Sequence, residues 1–400
     1  MEIGQLRNSL RTNLNKNKDL IILFFINLIY SSIILISFDL VWPRWRDAEN
    51  YAKMAKGLEG DAPWKYRILV PTFVSLFPDS YHKYVFLALT VFSLAFSDVL
   101  LFRFLQFSGY KHVSCYFGSF VWMGSWGYGY HLYNFGLIDP VFLMCIILLF
   151  NFLNAEKYFS ALISLFIGFF IKEAMFFFIP IVFVIALFAK KKGVLILTIL
   201  ISILLAIIIK SYYFYYDRPI IQTIIMRFEY HDIFIEEEGL LLAIVKYAYL
   251  VAIDVPISIY GIIIFTAVFG FFKTDIQNKL IFTLLCLAYL IMSLSSDFRM
   301  IFILFPIIIM LGIKPINELA ETHVYEDKRI QLVFSILLLI WVVLIPINVT
   351  PVNWFFMLKN SVLVFFSIGI VVASLYLLIM KEITKLGLKD IMMNKLLSDE

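Results

Sequence analysis

The residues of this chain that could do chemistry are ionisable groups set against long apolar runs. Asp39, Asp47 and Arg67 lie in DLVWPRWRDAENYAKMAKGLEGDAPWKYRILVP, residues 39–71. His131 and Asp139 lie in GYGYHLYNFGLIDP, Lys172 and Glu173 in FIGFFIKEAMFFFIP, and Asp297 and Arg299 in SSDFRMIFILFP. An ionisable group at membrane depth costs at least ~2.5–3.5 kcal/mol on insertion scales, so each needs a reason. A carboxylate can take the proton of an attacking hydroxyl. Lysine and arginine hold phosphate oxygens as charge-assisted donors. Gathered at one membrane surface, the two kinds of group suit chemistry on a phosphate-bearing lipid.

Each residue also has a structural reading. Lys172 and Glu173 are neighbours that mark a turn between two short helices. Asp297 and Arg299 read as a local pair, with Asp297 capping a helix and Arg299 snorkelling. His131 stands among tyrosines as a packing residue would. Asp139-Pro140 reads as an N-cap followed by proline at the first helical position. Glu236, Glu237 and Glu238 read as a solvated loop face, and Asp98 and Arg103 fall near the inner end of a span, outside the site.

The elements that must position these groups are transmembrane helices. The chain is 62% hydrophobic and 16% charged, with a mean hydropathy of +0.91, whereas soluble domains are ~45–50% apolar and ~25% charged. Lipid offers no water to backbone groups, so only helices or a closed barrel span it. Runs such as residues 193–209 lack the alternation of a barrel strand, and the expected class is an all-α polytopic bundle of about twelve spans. The spans are expected near 20–38, 83–106, 113–130, 137–153, 158–172, 173–189, 193–213, 255–272, 280–296, 298–313, 330–347 and 361–380. The shorter pieces 67–77 and 240–253 read as interfacial or re-entrant helices. One integral membrane domain then covers residues 1–400, with interfacial helices in a first external loop at 39–82 and an amphipathic tail at 381–400. The first apolar run lacks a small-residue cleavage site and reads as a retained helix. Cys115, Cys145 and Cys286 stand singly and show no metal-type spacing. No cofactor is called for, and the net charge of +4 reports loop asymmetry rather than a nucleic-acid partner.

Basic residues set the expected orientation. Lys16 and Lys18, Lys190 to Lys192, Lys273 and Lys279, Lys314, and Lys381 and Lys385 all fall on one face if the spans number twelve. That face is read as the cytoplasm of a bacterial inner membrane, with both termini inside. The candidate residues then collect at the outer end of the bundle.

At these residues the sequence resembles the GT-C superfamily of polytopic glycosyltransferases, which use polyprenyl-phosphate-linked sugars. The likeness rests on the acidic first external loop followed by APWKYRILVP, on HLYNFGLIDPVFLMCIILLF, on the Gly-x-x-x-Lys-Glu pattern ending at Glu173, and on Asp297-Phe-Arg299 before ILFP. It departs in spreading its first-loop acids as Asp39, Asp47 and Glu49 rather than as a tight pair. The resemblance implies inverting transfer of a sugar from a polyprenyl-phosphate donor to a hydroxyl on a glycan, lipid or protein acceptor. Asp47 is then the first candidate for the general base and Asp39 the second. Lys172, Arg299 and Arg67 are candidates for holding the donor phosphate, with Glu173, Asp139, Asp297 and His131 supporting. Trp42, Trp45 and Trp64 are placed to stack on sugars or to anchor at the interface. Two other readings compete: a surface-polysaccharide polymerase or ligase, and a lipid-linked-glycan transporter. The first expects arginines in a large external loop, where residues 214–239 offer only Arg218 and Arg227. The second expects repeats and broken helices at the midplane, whereas the prolines here lie mostly near span ends.

Overall fold

Length and patterning decide where the helices run. The structure, a computed structural model, describes residues 18–36, 46–60, 67–213, 240–249, 263–295 and 298–321. Asp39, Asp297, the three first-loop tryptophans, the expected spans at 330–347 and 361–380 and the expected tail at 381–400 lie outside the described residues. Among the described residues every regular element is helical. The order is α1 (Lys18–Ile36), α2 (Arg46–Ala55), α3 (Leu69–Val74), α4 (His82–Phe107), α5 (His112–Met123), α6 (Trp126–Tyr133) and α7 (Asp139–Asn154). It continues with α8 (Tyr158–Ile171), α9 (Ile179–Phe188), α10 (Lys192–Tyr213), α11 (Leu240–Tyr249), α12 (Ile263–Lys273), α13 (Ile276–Ser295) and α14 (Phe305–Glu321). Short 3-10 helices, Glu173–Phe178 and Phe298–Leu304, lead into α9 and α14.

The helices are arranged with their polar side inward. On α1, Leu23, Asn27 and Ser31 recur every fourth residue and are buried, while Phe25, Ile29 and Ile33 are exposed. On α10, Ile196, Ile199, Leu200, Ile203, Leu204 and Ile207 are exposed in the same way. An apolar outer face with polar groups turned to the interior is stable against lipid and costly against water. Among the described residues, three stretches are long and apolar enough to cross a membrane: Lys18–Ile36, Asp79–Phe107 and Ile301–Glu318. Asp139–Asn154, Tyr158–Ile171, Glu173–Phe188, Lys192–Ile208 and Ile276–Ile291 are apolar but shorter. The chain thus has the make-up of an all-helical membrane protein.

Several expected spans are broken where the sequence looked continuous. The expected span 113–130 is two helices. Its chain turns at Gly124, and the Ser125 hydroxyl caps α6 by accepting from the Tyr128 N–H at 3.3 Å. The expected spans 173–189 and 298–313 each begin with a 3-10 turn rather than α-helix.

Polar contacts define two ends of the bundle. At one end Asp19 accepts from the Tyr116 hydroxyl at 2.9 Å and lies 3.1 Å from His112, the Lys111 N–H donates to Asn317, Lys191 lies 3.7 Å from Glu156, and Lys273 pairs with Glu318. The opposite end carries the ion pairs of Arg67 and Lys172 described below. Between the ends, α12 and α14 meet backbone to backbone. A Cβ on Gly270 would fall 1.9 Å from the Leu311 carbonyl oxygen, and one on Gly312 would fall 2.9 Å from the Ile263 carbonyl oxygen. Small residues at membrane helix contacts allow this approach. Replacement of Gly270 by alanine is expected to force the helices apart and cost about 1–3 kcal/mol. The check is the thermal midpoint of the detergent-purified variant, with exposed Gly193→Ala as a control that should leave it unchanged.

Candidate functional site

The Gly-x-x-x-Lys-Glu pattern builds one wall of the site. Helix α8 ends as the Lys172 N–H donates to the Gly168 carbonyl at 2.9 Å. Lys172 itself is extended (φ −154°, ψ 126°), and the Met175 N–H then donates back to its carbonyl at 3.0 Å. Met175 folds against Gly168, where a Cβ would lie 3.0 Å from the methionine Cγ. The break sends the two neighbouring charges to different partners.

Lys172 turns to α7. Its ammonium pairs with the Asp139 carboxylate, with the two side chains only 2% and 6% exposed. The ammonium also lies 5.6 Å from the centroid of the Phe142 ring. Asp139 does open a helix with Pro140 in its first turn, but the N-cap position belongs to Ile138. The capping reading of Asp139 is therefore replaced by an ion pair reaching 33 residues along the chain.

Glu173 turns to the first loop. Arg67 Nε donates to Glu173 Oε2 at 2.8 Å, and its Nη2 donates to Oε1 at 2.5 Å. This parallel fork is the geometry in which arginine and carboxylate bind most strongly. The remaining edge of the guanidinium, through Nη1, donates to the Tyr51 hydroxyl at 2.9 Å. Both Arg67 and Tyr51 are buried. Burial works against the charge of Arg67, but Glu173 and Tyr51 more than restore it and hold its pKa well above the usual arginine value.

Tyr51 ties the cluster to α2. That helix is amphipathic, burying Ala48, Tyr51 and Ala55 while Glu49 and Lys53 stay exposed. Asp47 stands one helical turn before Tyr51 on a neighbouring position and is half-buried. Burial pushes the Tyr51 phenol well above its ordinary range, Arg67 opposes this, and the nearby charges of Asp47 and Asp139 add to it. Asp47, Tyr51, Arg67, Asp139, Lys172 and Glu173 thus form one electrostatic neighbourhood at one end of the bundle.

The other candidates are placed less directly. His131 on α6 is fully buried, with its ring 4.6 Å from Phe302 and 5.5 Å from Tyr130. Phe302 also crowds Gly127, where a Cβ would come within 2.5 Å of its ring. These contacts seat the 3-10 helix Phe298–Leu304 on α6. Arg299 belongs to that helix by its backbone, while its side chain lies outside the described residues, as do Asp39 and Asp297. Among the described residues no group of three His, Cys, Asp or Glu side chains is placed to hold a metal ion. Tyr51 was missed from the sequence because a tyrosine on the apolar side of an amphipathic helix reads as packing. Its spacing of four from Asp47 was the available signal.

Set against protein-family models, curated proteins and solved structures, the chain matches none.

The two ion pairs should behave differently on mutation. Lys172→Met leaves the buried Asp139 carboxylate without its ammonium, with an expected cost of about 3–5 kcal/mol. The double variant Lys172→Met/Asp139→Leu should recover much of it, because both charges are gone. Arg67→Met should cost less, because Glu173 is 26% exposed and can turn to water. Thermal midpoints of the purified variants check the order, and a double variant no better than Lys172→Met would show that the two groups are not coupled.

Proposed function

We propose that this chain is a membrane glycosyltransferase of the GT-C type, transferring a sugar from a polyprenyl-phosphate donor to an acceptor hydroxyl with inversion. The observation that carries the reading is the half-buried carboxylate of Asp47, one turn from Tyr51, whose hydroxyl accepts from the buried Arg67 in the same neighbourhood as the Lys172–Asp139 pair. In this reading about twelve spans cross a bacterial cytoplasmic membrane, both termini are cytoplasmic and the cluster faces outward. The orientation draws on the basic residues Lys18, Lys191, Lys273 and Lys314, which belong to the end opposite the cluster.

The chemistry needs little acid assistance, because a lipid phosphate leaves readily. The acceptor oxygen attacks the anomeric carbon from the face opposite the phosphate, Asp47 takes the hydroxyl proton, and the bond to the phosphate oxygen breaks with its electron pair on the leaving group. Asp39 is the second candidate for the base. Arg67 and Lys172 supply fixed positive charge that needs no reorganisation as the phosphate departs, and Arg299 is the third candidate. Glu173 is the displaceable partner, since a phosphate offers the Arg67 fork the same pair of oxygens. Asp139 and His131 are positioning residues that fix Lys172 and the 3-10 helix of Arg299.

The test is transfer from a labelled polyprenyl-phosphate sugar in membranes, across a panel of donors. Removal of a general base costs on the order of a hundredfold or more, so Asp47→Asn should lose at least that much. Full transfer by Asp47→Asn removes Asp47 as the base. No transfer by the wild type from any donor counts against the class itself.

A further inference from the structure

A second polar cluster lies between the helices, away from the paired charges. Asp98 stands well inside α4, a helix of membrane-spanning length, and its side chain is fully buried. Asn27 on α1 and Ser119 on α5 meet its carboxyl, and Ser31 on α1, Trp122 on α5 and Tyr128 on α6 extend the cluster, each fully buried. The Asn27 Nδ2 group donates to Asp98 Oδ2 at 2.8 Å, and the Tyr128 hydroxyl donates to Asn27 Oδ1 at 3.0 Å. Since the phenol hydrogen is used there, the Ser31 hydroxyl is the donor in its 2.8 Å contact with the Tyr128 oxygen. The relay from Ser31 through Tyr128 and Asn27 thus runs toward the carboxyl, the polarity a negative charge at its end would select, and Asn27 Nδ2 also donates to the Leu23 carbonyl at 2.9 Å.

Among the described residues Asp98 is met by neutral donors, and no basic side chain pairs with it. Asp98 Oδ1 and Ser119 Oγ are both buried and, among the described residues, meet no partner in good hydrogen-bond geometry, while the Ser119 hydroxyl is near enough to interact with the same carboxyl. One turn along α5 from Ser119, the Trp122 Nε1–H is also buried without an acceptor, its ring 6.1 Å from that of Tyr128. A buried carboxylate either takes up a proton or is paired with a positive charge, and one monovalent cation balances it. A divalent ion would leave an excess charge in the apolar interior.

We propose that Asp98 and Ser119 bind a sodium-sized monovalent cation between α1, α4, α5 and α6. Asp98 Oδ1 and the Ser119 hydroxyl are its protein ligands, and a water on the ion accepts from the Trp122 N–H. Asn27, Ser31 and Tyr128 hold the far side of the carboxyl. The bound ion joins α4 to α5 directly, and α1 and α6 through the hydrogen bonds of Asn27 and Tyr128, so it stabilises the bundle whether or not the chain transfers sugars.

The test uses the full chain purified in detergent. Thermal unfolding is followed in sodium chloride and in choline chloride of equal ionic strength, at several pH values. The wild type should show a saturable rise in midpoint with sodium, on the order of several degrees. Asp98→Asn should abolish the rise, and Ser119→Ala should weaken the apparent sodium affinity about tenfold. Equal midpoints in sodium and choline overturn the proposal, as does a full sodium effect in Asp98→Asn. A midpoint that follows pH with no response to sodium assigns a proton to the carboxyl and also overturns it. If Asp98→Asn does not fold, binding of radiolabelled sodium to the wild type decides, and its absence is a negative result.

Discussion

The fork between Arg67 and Glu173 is the contact on which the arrangement of this end depends. It joins residues 106 positions apart and brings the first loop onto the ends of α7 and α8. A charge in apolar surroundings is tolerated only when it is matched, and here each match is made between segments. Arg67 reaches Glu173 and Tyr51, and Lys172 reaches Asp139. The loop helix α2 is too short and too polar to hold its place by apolar burial alone. Its buried tyrosine hydroxyl, fixed by Arg67, determines where Asp47 stands.

The same constraint explains the rest of the bundle. Apolar residues cover the outside of α1 and α10, and polar groups are gathered inside, where they must satisfy one another. Helices without bulky side chains at their contact can close further, as α12 and α14 do at Gly270 and Gly312. The breaks at Gly124 and Lys172 serve this economy of contacts, since each redirects side chains that a straight helix would have turned elsewhere. The polar pairs at the other end, such as Asp19 with Tyr116 and Lys273 with Glu318, close the bundle where it is more open to solvent.

Much of the helical scaffold was legible from the residues. The limits of α1, α4, α7, α8 and α10 fall close to those expected, because each is an apolar run bounded by charged or turn-forming residues. The division of 113–130 was not legible, since Gly124-Ser125 is as acceptable inside an apolar span as between two helices. The 3-10 entries to α9 and α14 were hidden for a similar reason: the local residues are apolar in either conformation. At the site, Lys172, Glu173, Asp139 and Arg67 stood out because charges in apolar runs are conspicuous. Their partners did not. Asp139 looked like a cap, Tyr51 like packing, and Asp98 like a residue near a helix end.

Sequence alone therefore determined the class of solvent this chain is built for, the helical character of its elements and the short set of charges in need of compensation. These follow from composition and local pattern, which act over a few turns of chain. Tertiary structure decided which charge meets which, that Lys172 and Glu173 part to separate partners, and that Asp98 is enclosed by four helices. Those outcomes depend on pairings between residues far apart in the chain, whose strength comes from shared burial, and burial is a property of the packed bundle rather than of any one segment.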